Sequence, residues 1–152
     1  MKGKNNTIFS HKSDDWSTPE GLYDILDHEF NFTFDPCPLN SEDNAFFMDW
    51  IGSVFINPPY SNISNFLEKA LIELGKGNCH TVVFLIPVRS DTKWWHRFIW
   101  DHDHHKPRKG VSIRFCNKRL RFGGVKSPAP FPSCIIVMKS DLENPPPHND
   151  DK

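Results

Sequence analysis

Residues 57–60 read Asn-Pro-Pro-Tyr and close the short apolar run Ser53-Val54-Phe55-Ile56. They place an amide, two residues without backbone N–H groups and an aromatic ring at the end of an expected buried strand. Those residue types suit the alkylation of an amino group conjugated to a planar ring, adenine N6 being the leading case. Such a nitrogen is a poor nucleophile because its lone pair is delocalised into the ring. Two hydrogen-bond acceptors aimed at its N–H groups would draw it out of conjugation and spread the positive charge that develops on it. The side-chain oxygen of Asn57 and the carbonyl of Pro58 are the candidates. Pro59 stiffens the turn, and Pro58 biases Asn57 toward an extended backbone. Tyr60 offers a face on which a flipped base can stack. Taken alone, the four residues fit an ordinary Pro-Pro turn as well.

The elements around them decide whether such a site can be built. Ser17-Thr18-Pro19-Glu20 reads as a helix start, with a hydroxyl cap, proline in the first turn and Glu20 three residues after Ser17. The helix is expected to reach about Glu29 and to bury Leu22, Ile25 and Leu26. Phe32-Thr33-Phe34-Asp35 alternates like a short strand, and Ser53–Ile56 forms a second. Ile63, Phe66, Leu67, Ala70, Leu71 and Leu74 repeat at helical spacing, with Gly75 and Gly77 ending the helix. Thr81–Ile86 is continuously apolar or β-branched, as a central parallel strand would be. Asp91 is placed to cap a helix carrying Trp94, Trp95, Phe98 and Ile99. Three short strands are expected near 111–116, 119–123 and 133–138. This order predicts a compact Rossmann-like α/β sandwich with a mostly parallel central sheet and an antiparallel edge hairpin turning at Lys118. Sites in such sheets lie at the carboxyl ends of strands, where Asp35, Asn57 and Pro87 all fall.

Several stretches together carry a family resemblance. They are Trp16-Ser17-Thr18-Pro19, Asp35-Pro36-Cys37, Trp50-Ile51-Gly52 leading into Asn57-Pro58-Pro59-Tyr60-Ser61, Leu85-Ile86-Pro87, Thr92 to Trp95, and Arg114-Phe115 through Arg119-Leu120-Arg121-Phe122. Their order and spacing, from about residue 14 to 138, resemble the phage-type Dam family of DNA N6-adenine methyltransferases. The resemblance implies an S-adenosylmethionine-dependent enzyme acting on adenine in double-stranded DNA. It assigns Asn57, Pro58, Pro59 and Tyr60 to catalysis, and Trp16, Thr18, Pro19, Asp35, Pro36 and Asn57 to the cofactor. Asp35 would accept from the cofactor's ammonium group, while the Thr18 hydroxyl or the helix N-terminus would receive its carboxylate. Asp35 also has a simpler reading, as a carboxylate capping a turn. Asp35-Pro36-Cys37-Pro38-Leu39 lacks the glycine-rich loop found in many related enzymes. The ribose-binding acid is correspondingly unassigned, with Asp43 and Asp49 as candidates.

A chain of 152 residues is long enough for one domain with a real core. The expected division is a flexible terminus over 1–13, a single methyltransferase domain over 14–140 and a disordered tail over 141–152. The Met-Lys-Gly-Lys-Asn-Asn start lacks a signal-peptide core, and no stretch approaches a membrane span, so a cytoplasmic protein is expected, in the host cell if phage- or prophage-encoded. Cys37, Cys79, Cys116 and Cys134 are scattered, as reduced structural thiols would be, and no metal is expected. The His102-Asp103-His104-His105 cluster reads as an exposed loop. Net charge is −1, but its distribution is uneven. From His104 to Ser140 there is no acidic residue, while Lys106, Arg108, Lys109, Arg114, Lys118, Arg119, Arg121, Lys126 and Lys139 are basic. Such a segment is a footprint for phosphates. Ser61, Arg89, Lys118, Arg119 and Arg121 are the candidate nucleic-acid contacts, although strand salt bridges would also explain the arginines. Other open readings are methylation of cytosine N4, RNA or a glutamine amide, or a catalytically silent DNA-binding module. A monomer or weak homodimer is expected.

Overall fold

The longest apolar run becomes an interior strand, β2 (Cys79–Pro87), in which every residue from Thr81 to Pro87 is buried. The structure, a computed structural model, describes residues 17–36, 45–122, 127–141 and 145–146. The expectations for the 1–13 terminus, Trp16, Cys37, Asp43 and most of the 141–152 tail lie outside the described residues.

Two neighbours flank β2. β1 (Gly52–Ile56) runs parallel to it, with Ile56 opposite Phe84. β6 (Ser133–Lys139) runs antiparallel to it, from Thr81 opposite Lys139 to Pro87 opposite Ser133. β5 (Val111–Phe115) pairs antiparallel with β6, giving the order β1-β2-β6-β5. A single parallel bridge, Phe34 to Val54, stands where the expected first strand would lie. A two-stranded ribbon, β3 (Trp100–Asp101) with β4 (Lys106–Pro107), is separate, and the histidine cluster forms its exposed turn.

The expectation of a mostly parallel sheet is therefore corrected: one strand pair is parallel and two are antiparallel. A strand covered on both faces is apolar throughout whichever way its neighbours run, so the Thr81–Ile86 run reported burial and not direction. The Lys118 hairpin is absent too, because residues 119–122 form no strand. Leu120 instead accepts a backbone bond from Ala129 (2.8 Å), and Phe122 is buried. Its alternation reflects packing of an irregular segment onto the sheet.

Successive side chains of a strand face opposite ways, and here both faces are covered. Val54, Ile56, Val82, Phe84, Ile86 and Ile136 join Phe66, Leu67 and Ala70 of α2 (Ile63–Lys76) with Trp95, Phe98 and Ile99. Phe55, Val83, Leu85, Ile135 and Val137 join Leu26 of α1 (Glu20–Phe30) with Phe122 and Ala129. Ile25, expected in the core, is 69% exposed. α2 passes through Gly75 to end at Gly77, whose φ of 90° is the left-handed cap that glycine adopts readily. Trp95–Ile99 is a π-helical turn, and Trp95 N–H donates to the Thr92 hydroxyl (3.4 Å), so Thr92 holds the place expected for Asp91.

The start of β1 is fixed from three directions. Glu73 of α2, 1% exposed, accepts from the Trp50 N–H (3.0 Å) and from Lys69 (2.6 Å) and Lys76 (2.9 Å). Buried Trp50 donates its indole N–H to the Ala45 carbonyl (3.1 Å). Gly52 has φ 70°, and a Cβ there would lie 2.3 Å from Thr33 Oγ1. That hydroxyl accepts from the Ser53 N–H (3.1 Å) and donates to the Ile51 carbonyl (3.0 Å).

Candidate active site

Asn57 is the first residue beyond β1, at the carboxyl end of the strand. Its Nδ2 donates to Thr18 Oγ1 at 3.1 Å, which turns the amide nitrogen toward Thr18 and the amide oxygen to the other side. The expectation of a hydroxyl cap on α1 is corrected by the same contact. The cap position is Pro19, with no side-chain cap bond, and the Thr18 hydroxyl serves Asn57 instead of the helix.

Pro58 and Pro59 are buried, and Pro59 accepts from the Asn62 N–H (2.9 Å) as the chain turns through a 3-10 stretch, Tyr60–Asn62, into α2. Tyr60 packs edge-on to Phe131 (5.4 Å between centroids) and to Phe122 (6.4 Å). Its phenol is pushed well above the usual range by burial, and then by the nearby Cys134 and Cys116 thiols. Among the described residues its buried hydroxyl has no hydrogen-bond partner. Burial likewise raises the Cys134 thiol to about 12.

Tyr60, Ile63, Pro87, Arg89, Trp94 and Phe131 line a cleft of about 200 Å³. Of these, the sequence points to Tyr60 and Arg89 as contacts and to Pro87 as one of the strand ends around the site. Trp94 reads from the sequence as one of three tryptophans, with Trp95 and Trp100, that suit the core with one of them free to line a DNA cleft, and Phe131 carries no signal. The pattern around residues 128–132, with prolines on either side of Phe131, holds no sign that it folds back onto Tyr60.

Asp35 follows the Phe34 bridge, and the Phe55 N–H to Phe34 carbonyl bond (3.4 Å) brings it alongside the end of β1. It is exposed, whereas Pro36 is buried. The Tyr23 phenol of α1 is raised by burial, then by Asp27 and Asp35, so Asp35 also neighbours that helix. Asp49 lies at the opposite, amino end of β1 and pairs with Lys76 (3.0 Å). The structure therefore gathers Thr18, Pro19, Asp35 and Asn57 at one end of the sheet, with Tyr60 and Arg89 on the adjoining cleft. Asp49 stands apart.

The basic segment divides. Arg114 forms a two-pronged pair with Glu29 (2.7 and 2.6 Å), and Arg108 donates to the His96 carbonyl (3.2 and 2.5 Å). Both are tied into the fold. Ser61, Lys118, Arg119 and Arg121 are exposed. Arg89 is exposed as well and contacts Asp91 (3.3 Å). His104 pairs with Asp101 (2.8 Å). Among the described residues, no group of three or more His, Cys, Asp or Glu could hold a metal ion, and no helix is long and apolar enough to cross a membrane.

Neither a curated protein nor a solved structure matches the chain. A family model does, over residues 5–145, and its description is DNA N-6-adenine-methyltransferase (Dam). That span takes in β1, Asn57–Tyr60, the cleft and the basic segment, and the chain belongs to the Dam family of DNA N-6-adenine-methyltransferases.

Proposed function

We propose that this protein transfers a methyl group from S-adenosylmethionine to N6 of adenine in duplex DNA, on a compact Rossmann-like frame. Membership of the Dam family implies a DNA adenine methyltransferase. The observation that supports the residue-level reading is the Asn57–Thr18 bond: it turns the amide nitrogen toward Thr18 and leaves the amide oxygen, a buried acceptor next to the Pro58-Pro59 turn, on the other side.

The groups near Thr18 suit the amino-acid end of the cofactor. Asp35 offers an exposed carboxylate for an ammonium group, and the start of α1 offers backbone N–H groups to a carboxylate. Thr18, already accepting from Asn57, retains a hydroxyl proton to donate. The cofactor supplies an electrophilic methyl group when bound. Asn57 Oδ1 and the Pro58 carbonyl accept from the adenine amino group, localising its lone pair and stabilising the charge it acquires. Asn57 is neutral and takes no proton; the proton leaves late, to water. Tyr60 and Trp94 wall the space into which a flipped base would stack, and the rigid Pro58-Pro59 turn holds the acceptors in register. Ser61, Arg89, Lys118, Arg119 and Arg121 contact phosphate or base edges.

The aromatic cleft and the basic segment favour a nucleic-acid base over a glutamine amide. Retention of the whole Asn57–Tyr60 stretch favours an enzyme over a silent binding module. The test is to incubate the protein with labelled S-adenosylmethionine and unmethylated duplex DNA, then digest and identify the modified nucleoside. N6-methyladenine is expected, lost in Asn57→Ala by about 10²–10³-fold or more in rate and strongly reduced in Tyr60→Ala. N4-methylcytosine would refute the target atom. Label confined to RNA or protein would sink the DNA reading.

A further inference from the structure

Six large hydrophobic side chains are exposed among the described residues, and four of them, Phe47, Met48, Ile51 and Ile72, belong to one region. The chain around residues 46–51 runs beside α2: the Trp50 N–H donates to Glu73 (3.0 Å), and Asp49 accepts from Lys76 (3.0 Å). Phe46, Asn65, Glu68, Lys69 and Ile72 line an open groove of about 390 Å³ there. Phe46 packs on buried Phe66 (4.6 Å between centroids), which fixes an apolar wall, and the next residue, Phe47, is 90% exposed. Single exposed hydrophobics are ordinary, whereas a cluster with a groove marks an interaction surface.

Charge separates this face from the nucleic-acid side. Lys69 is committed to Glu73, and Lys76 to Glu73 and Asp49. Glu68 is exposed and has no ion-pair partner among the described residues. Three carboxylates against two ammonium groups repel a phosphate. Asp49 and Ile51 also lie at the amino end of β1, away from Asn57 at its carboxyl end, so a partner seated here leaves the cleft open.

The order of groups along α2 selects the occupant. Asn65, Glu68, Lys69, Ile72 and Lys76 recur at spacings of three and four and so share one side of the helix. If a second α2 is laid antiparallel across this side about a two-fold axis at Ile72, Ile72 meets Ile72. Glu68 of each copy then faces Lys76 of the other, which is half-exposed and within reach. A two-fold contact requires such self-complementary order. The axis also leaves both 46–51 segments on the same flank, a protruding ring beside a groove in each.

We propose that this face binds a second copy of the chain, α2 against α2, with Phe47 of each copy entering the groove of the other. The contact is independent of the methylation reading and joins two molecules with both clefts free.

The test is sedimentation equilibrium of the full chain over a concentration series, with circular dichroism to verify folding. Wild type is expected to pass from monomer to dimer as concentration rises through the micromolar range, as suits a small interface. Ile72→Glu and Ile72→Lys, both at an exposed position, should each weaken the dimer by at least about tenfold, because like charges meet on the axis. Mixed in equal amounts, the two should recover a dimer, since Glu then meets Lys. Phe47→Ser should weaken it without affecting helix content. A wild type monomeric at every concentration would overturn the proposal and leave the face to a different protein. A dimer indifferent to both Ile72 variants, or a mixture no more dimeric than its components, would overturn it as well.

Discussion

With its nitrogen committed to Thr18 Oγ1, the Asn57 amide is oriented by a residue 39 positions earlier in the chain. Removing that hydroxyl leaves the amide able to rotate and expose its N–H groups where an acceptor is needed. Thr18→Ala should therefore lower the single-turnover methylation rate by about 10²-fold, the scale expected for misplacement of a reacting group, while Thr18→Ser stays near wild type. A similar drop in both variants would break the link between the hydroxyl and the amide. Asn57 to Tyr60 could be picked out from the chain because they are consecutive and their types announce a chemistry. Their supports could not. Thr18 bears the marks of a helix cap, and only the fold shows its hydroxyl turned elsewhere. Trp94 and Phe131 carry no local signal that separates a cleft wall from a core residue.

At the scale of elements, periodicity revealed what lies within a segment and little about its neighbours. α2 and β2 were legible because helical spacing and continuous burial are properties of one stretch of chain. Which strand pairs with which depends on distant residues, and β6, apolar from Cys134 to Met138, would read alike in either direction. The glycines make the same distinction testable. Gly52→Ala forces a Cβ onto Thr33 Oγ1 at a positive φ and should cost more than about 2 kcal/mol. Gly75→Ala, inside α2 with nothing within 4 Å of the new Cβ, should stabilise by about 0.5–1 kcal/mol. Urea unfolding of the two variants checks both signs, and a loss in Gly75→Ala would show that the helix is not uniform there.

For the molecule as a whole, charge is segregated, and part of it is structural. Burial alone would raise the Glu73 carboxyl, but bonds from Lys69, Lys76 and the Trp50 N–H outweigh it and hold the group below its ordinary value. The folded protein thus binds that proton less readily than the unfolded chain does. Its stabilising contribution is complete above the unfolded-state value and is lost as pH falls through the lower, folded-state value. Glu73→Gln should cost about 2–3 kcal/mol at neutral pH, with the two proteins converging in acid. Chemical denaturation across that range measures it, and a gap that persists in acid would mean that packing, not charge, is what Glu73 contributes.

The strand order has a consequence for how the chain comes to be folded. Among the described residues β6 is the last strand in sequence, yet it sits inside the sheet and separates β5 from β2. While the chain is still emerging from a ribosome, β1 and β2 can meet with α2, but β5 has no strand to join until residues 133–139 have been made. β5 and the end of β2 that bears Pro87 of the cleft come into alignment only through β6. Competence to engage a substrate therefore waits for residues 133–139, and a chain that stops short of them carries the Asn-Pro-Pro-Tyr segment without the completed sheet beside it.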